Sequence, residues 1–218
     1  MLSPGSEHIP VGRESLEAML AVPEAAREIV VFAHGAGSSR LSPRNVRVAE
    51  YLRSTGEFGT LLFDLLTPDE DRLYANRFDI GLLTERLATA TGWARLQQCC
   101  RSLPIAYFGA STGAAAALRA SVALPGIVTA VVSRGGRPDL AGAELMNVRV
   151  PVLLIVGGAD ETVLSLNVSA RERIPSTTEL EIVPEATHLF EEPGALEEVA
   201  QLAGEWFQRH LRHPRVEG

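Results

Sequence analysis

Six short runs rich in apolar and β-branched residues recur along the chain: EIVVFA (28–33), GTLLFD (59–64), PIAYFG (104–109), GIVTAVVS (126–133), VPVLLIVGG (150–158) and TELEIVP (178–184). Runs of this length with little polar alternation suit strands buried on both faces. Between them, the stretches 43–54, 80–101, 112–123, 162–173 and 194–211 place apolar residues at helical spacing. In the last, Leu196, Val199, Leu202, Ala203, Trp206 and Phe207 form one stripe, and Pro193 stands near the start, where a missing N–H costs least. Strand and helix in alternation predict an α/β fold, a three-layer α/β/α sandwich around a mostly parallel sheet. Residues 11–22 alternate well enough to form one or two edge strands, and the tail HPRVEG reads as frayed. No repeat or linker divides the chain, so residues 1–218 are read as one domain, with Trp93 and Trp206 on apolar helix faces in its core.

Composition narrows the partners. The formal charge is -7 and no basic run occurs, which argues against nucleic acid or an anionic membrane, since both need clustered positive charge. All 20 basic residues are arginine. Without lysine there is no Schiff-base chemistry and no Walker-type phosphate loop. Cys99 and Cys100 are adjacent in a helix-like stretch and read neither as a disulfide pair nor as half of a metal site, which fits a reducing, cytoplasmic setting. No charged-then-apolar leader opens the sequence, and no apolar run approaches membrane-spanning length.

The candidate chemistry begins at Gly109-Ala110-Ser111-Thr112-Gly113, where the run PIAYFG passes directly into an alanine-rich helix. A strand–turn–helix of this kind can present Ser111 as a nucleophile. The turn is so tight that the positions two before and two after the serine must lack side chains, and both are glycine. A serine hydroxyl needs a base to take its proton, and the base needs a third group to fix its tautomer. His188 follows the end of TELEIVP, and Asp160 follows the end of VPVLLIV. Both stand at strand C-termini, where open α/β sheets gather functional groups. Glu161 beside Asp160, and Asp139 after the preceding strand, are alternatives for the acid. Backbone donors for a developing oxyanion are expected from the Thr112 amide and from the Gly-rich turn HGAGSS, with Ala36 preferred and Gly35 the alternative.

Taken together, FAHGAGSS, FGASTG, GGADETV and ATHLFEEPG resemble the α/β-hydrolase superfamily, in its dienelactone-hydrolase-like branch, from about Ile29 to Leu211. The resemblance implies an α/β-hydrolase fold and a Ser111–Asp160–His188 triad that cleaves a small-molecule ester, with no metal or organic cofactor. The dienelactone hydrolases that name the branch use a cysteine nucleophile, and this chain has Ser111, so a serine carboxylesterase is the plainer expectation. Some relatives of this type carry a fused phosphoribosyltransferase domain, for which this chain is too short. Large lids in the superfamily follow the strand that here ends near Ser133; about seventeen residues separate it from VPVLLIV, too few for a lid domain. Other acyl-transfer or C–C-cleaving chemistry on the same three side chains, and a non-catalytic binding protein that keeps the fold, are the rival readings.

The remaining polar residues have blander roles. His34 is expected to support the Gly-rich loop by hydrogen bonding, and His8, His210 and His213 to lie on the surface. Arg134 and Arg137 follow a buried strand on the site-facing edge of the sheet, where they either bind a substrate anion or hold a loop through an Arg–Asp pair. The acidic run Thr67–Asp71 reads as a solvated loop.

Overall fold

The computed structural model describes residues 5–211; His213 and the HPRVEG tail lie outside them. The N-terminal segment is a hairpin of β1 (Gly5–Val11) and β2 (Glu14–Ala21), paired antiparallel and turned by Gly12 at φ 61°. Beyond it come β3 (Glu28–Ala33), α1 (Pro43–Ser54), β4 (Phe58–Phe63), the short α2 (Pro68–Asp71) and α3 (Ile80–Leu96). Then follow β5 (Ile105–Ala110), α4 (Thr112–Ala123), β6 (Val128–Arg134), β7 (Val152–Gly157), α5 (Glu161–Arg173), β8 (Thr178–Val183) and α6 (Ala195–His210). The sheet order is β1-β2-β4-β3-β5-β6-β7-β8. β2 pairs antiparallel with β4, and β3 to β8 are parallel throughout.

Every residue of β3 to β7 is buried, as runs without a polar face require. Alternate side chains serve two cores. Ile29, Val31, Ile105 and Tyr107 meet Leu87 and Ala90 of α3 and the alanines of α4. Val30, Phe32, Ala106, Phe108, Ala130 and Val132 meet Val48 and Leu52 of α1 and Val199, Trp206 and Phe207 of α6. Full burial of each large apolar side chain contributes roughly 1.5–3 kcal/mol. Trp206 lies inside, whereas Trp93 is only half-buried at the edge of the α3 cluster.

Three expectations need correction. α3 ends at Leu96 rather than at residue 101, because Gln97 takes an extended backbone and its Nε2 donates to the Trp93 carbonyl, starting the turns that lead to β5. Cys99 and Cys100 therefore sit on a turn, both free, with sulfurs 3.6 Å apart. Burial, followed by the Cys99 contact, pushes the Cys100 thiol up to about 12. The acidic run is not a loose loop: Thr67 and Glu70 close a capping box around α2, and Arg86 of α3 holds Glu70. Arg77 is bidentate to Asp71, with both contacts at 2.7 Å. Between β6 and β7 the chain makes only a 3-10 segment (Pro138–Asn147), so no lid domain covers the C-terminal edge of the sheet.

Candidate active site

Ser111 has φ 50° and ψ −121°, a conformation that costs a residue with a side chain of order 1–3 kcal/mol. Three hydrogen bonds hold it there: its N–H donates to the Arg134 carbonyl (3.2 Å), and its carbonyl accepts from the amides of Ala114 and Arg137 (3.1 Å each). The flanking glycines are sterically required. A Cβ on Gly113 would overlap the Ala33 carbonyl, and one on Gly109 would overlap the Ala114 backbone. Ala114 to Ala117 are all fully buried, so α4 lies against the sheet as its small side chains permit.

Asp160 is the N-cap of α5, its Oδ1 accepting from the Val163 amide at 3.4 Å. Its Oδ2 lies 2.7 Å from His188 Nδ1. Glu161 is exposed on the first turn of the helix, and Asp139 is taken by Arg137, which grips it through Nε (2.9 Å) and Nη2 (2.8 Å). Of the three carboxylates considered, only Asp160 meets the histidine. His188 sits in the loop after β8, folded back by a bond from the Thr187 amide to Glu192 Oε1 (3.1 Å). Ser111 and His188 both line a cavity of about 190 Å³ with Gly35, Ala36, Arg134 and Leu189.

The Gly-rich turn packs directly on Ser111: a Cβ on Gly35 would come 3.0 Å from Ser111 Cβ. The Ala36 amide does not point free into the cavity. It donates to Thr112 Oγ1 at 2.9 Å. His34 Nε2 accepts from the Leu65 amide (3.0 Å), so Nδ1 carries the proton toward the Gly35 carbonyl (2.9 Å). The ring thus ties the loop after β3 to the loop after β4. Burial pushes the His34 pKa down, outweighing the Gly35 carbonyl, Asp64 and Asp71, which act the other way. The unfolded chain therefore takes up a proton below about 6.5 that the folded chain refuses, and stability present above that pH is lost as pH falls through it. The urea midpoint should drop between about pH 7 and 5, and His34→Asn should make that drop shallower. An unchanged slope in the variant would mean that His34 is not held neutral.

Of the two arginines singled out in sequence, Arg137 is spent on Asp139 and is not among the residues lining the cavity, while Arg134 lines it. Arg134 is 7% exposed, and its Nε and Nη1 are buried without a hydrogen-bond partner among the described residues. Burial, then the neighbouring charge of Arg44, pushes its pKa down to about 10. Arg44, from α1, also lines the cavity, together with Ser42 and Asn45. Sequence reasoning passed over all three, since they look like an ordinary helix N-terminus. Among the described residues no group of three or more His, Cys, Asp or Glu could hold a metal ion, and no helix is long and apolar enough to cross a membrane.

No family model matches the chain. Two proteins from two strains of Mycobacterium tuberculosis, each provisionally named phosphoribosyl transferase, are 60% identical over 199 residues. The match takes in 91% of this chain but 45% of theirs, so the chain spans less than half the length of these curated relatives. Among solved structures, a dienelactone hydrolase from Anabaena variabilis is 50% identical with a TM-score of 0.91, the match covering 97% of this chain and all of that one. Est1E from Butyrivibrio proteoclasticus (17% identity, TM-score 0.80, 94% and 98% covered) shares the fold. So does a serine hydrolase without a lid from Xanthomonas campestris (21%, 0.76, 97% and 96%). Identity at half of all positions across the whole Anabaena enzyme, on a sheet of the same architecture, means that the chain belongs to the α/β-hydrolase superfamily, in its dienelactone-hydrolase-like branch.

Proposed function

We propose that the chain is a serine esterase acting on small carboxylic esters. The observation that carries this reading is the convergence of three separate strand ends: Ser111 on its strained turn shares a cavity with His188, whose Nδ1 is held 2.7 Å from Asp160. Asp160 fixes the tautomer that leaves Nε2 free to accept the Ser111 proton as Oγ attacks the ester carbonyl. His188 then hands the proton to the departing alcohol, and water repeats the cycle on the acyl-enzyme. The Thr112 amide, first in α4, stabilises the oxyanion, joined by an amide of the Gly-rich turn. If that second donor is Ala36, the Thr112 hydroxyl must first release it, because the two are hydrogen-bonded at rest; Gly35, packed on Ser111, is the alternative. The hydrolase reading applies to the matched residues. The transferase in the mycobacterial name is a statement about proteins more than twice as long. The two free thiols fit a reducing compartment, and we place the protein in the cytoplasm on that basis.

With no lid, a long acyl chain finds little apolar surface, and each methylene left in water forfeits about 0.8 kcal/mol. Short esters should therefore be the better substrates. A fluorophosphonate should add once per chain, at Ser111, and rates on p-nitrophenyl esters should fall from acetate and butyrate to palmitate. Labelling of a different serine would refute the nucleophile, and rates that climb with chain length would refute the open site.

A further inference from the structure

The peptide that joins Gly35 to Ala36 is pinned at both of its polar ends. Its carbonyl accepts from the Ser38 amide (3.1 Å) and from His34 Nδ1 (2.9 Å), and its N–H donates to Thr112 Oγ1 (2.9 Å). His34 is locked in turn, because its Nε2 accepts from the Leu65 amide and so its proton stays on Nδ1. Turning the Ala36 N–H toward a substrate oxygen would break all three bonds of this peptide together. An amide held in this way is already committed before an ester arrives.

The acceptor of that bond still has a proton to give. A hydroxyl can accept and donate together, and its hydrogen rotates to suit. Thr112 Oγ1 takes the Ala36 N–H, yet its own proton has no acceptor among the described residues. The Thr112 amide, at the first position of α4, has no partner among them either. Both donors belong to the residue that follows Ser111. The loop that fixes the hydroxyl also touches Ser111, since a Cβ on Gly35 would come 3.8 Å from Ser111 Oγ. Thr112 is 3% exposed, so water competes little for either donor, and a donor in a dry site is worth more than the same donor in water. The bond received from Ala36 polarises the hydroxyl and strengthens the one it gives.

We infer that the Thr112 side chain is a catalytic donor to the oxyanion, and that the Ala36 amide acts through this hydroxyl rather than on the substrate itself. This rests on the esterase reading above and changes only how the Gly-rich turn contributes to it. As Ser111 Oγ bonds to the acyl carbon, its proton passes to His188 and the carbonyl π pair moves onto oxygen. That oxygen accepts from the Thr112 N–H and from the Thr112 O–H. On collapse the pair returns to the carbonyl, the bond to the alcohol oxygen breaks, and His188 supplies the proton that this oxygen needs. Thr112 keeps its own proton throughout. Nucleophile and both donors then stand in two consecutive residues, Ser111 and Thr112.

Thr112→Val keeps the shape of the side chain, deletes the hydroxyl and leaves the backbone amide in place. On p-nitrophenyl acetate its kcat should fall about 10²- to 10³-fold, the loss that follows removal of one oxyanion donor, with KM little changed. Thr112→Ser should recover most of that loss. Trifluoroacetone, a ketone that Ser111 converts to a hemiketal oxyanion, gives a second readout that needs no turnover. Its affinity, measured from the concentration that slows fluorophosphonate labelling of Ser111, should weaken by a similar factor in Thr112→Val and return in Thr112→Ser. A hydroxyl that only braces the loop would lower the thermal midpoint when removed and spare kcat and the ketone, which would overturn the inference. So would a faster kcat in Thr112→Val, because the freed Ala36 amide would then serve the oxyanion directly. Ester turnover by the wild type that Thr112→Val leaves intact would remove the hydroxyl donor and keep the esterase reading. No ester turnover in the wild type, with a ketone adduct at Ser111 that Thr112→Val weakens about 10²-fold, would do the reverse. If Thr112→Val does not fold, Thr112→Ala carries the same comparisons.

Discussion

Replacing Ser111 by alanine should lower hydrolysis of short esters by several orders of magnitude, of order 10⁴ or more, and abolish fluorophosphonate labelling. The size of the effect follows from chemistry that no neighbouring group can supply: without Oγ there is no acyl-enzyme, and what remains is water attacking an ester polarised by the loop amides. The fold should be indifferent. Alanine keeps the Cβ that serine has, so the cost of φ 50° is the same in both, and the three backbone hydrogen bonds that hold the turn are untouched. The thermal midpoint should move by no more than about 2 °C. Undiminished activity in a pure Ser111→Ala sample would remove the central assignment.

Asp160→Asn should be nearly as damaging to kcat, by up to about 10⁴, and equally gentle on stability. An amide facing His188 Nδ1 offers a donor where an acceptor is needed, which favours the tautomer that cannot take the serine proton. The same asparagine remains a good N-cap, so the Val163 amide keeps a partner and α5 keeps its start. Asp139→Asn is the informative comparison. Its carboxylate serves only Arg137, a surface pair worth about 0–1 kcal/mol, so kcat should fall less than tenfold. If Asp139→Asn proved the more damaging of the two, the acid would belong to the strand before.

Legibility in the sequence depended on whether the cause of a feature was local. β3 and α4 were read to the residue because their limits are set by neighbours in the chain: an unbroken apolar run in the first case, and a glycine-flanked serine before alanines in the second. The acid could be ranked but not isolated, since only tertiary structure shows Asp139 occupied by Arg137 and Asp160 turned to His188. The helical period of α3 ran on past Leu96 because side-chain spacing carries no record of the backbone turn at Gln97. The role of Glu70 was hidden for a similar reason: its partner Arg86 lies sixteen residues away. Arg44 was hardest to see. On α1 it is one arginine among several, and only the packing of α1 against β4 and α6 brings it to the cavity that Arg134 lines. Nor does any residue code announce where an amide points, so the bond from Ala36 to the Thr112 hydroxyl had no sequence signature.

Arg134 does two separate things from one position. Its carbonyl receives the Ser111 amide and so helps to fix the strained turn, while its guanidinium, on the α1 face of the same strand, lines the cavity that Ser111 and His188 share. The two roles divide cleanly between main chain and side chain. Any residue that keeps the strand can keep the first, so this position is one where the wall of the cavity can change without disturbing the turn that holds Ser111. Exchanging the guanidinium for an apolar group should relieve a buried charge and leave the turn in place, all in one codon.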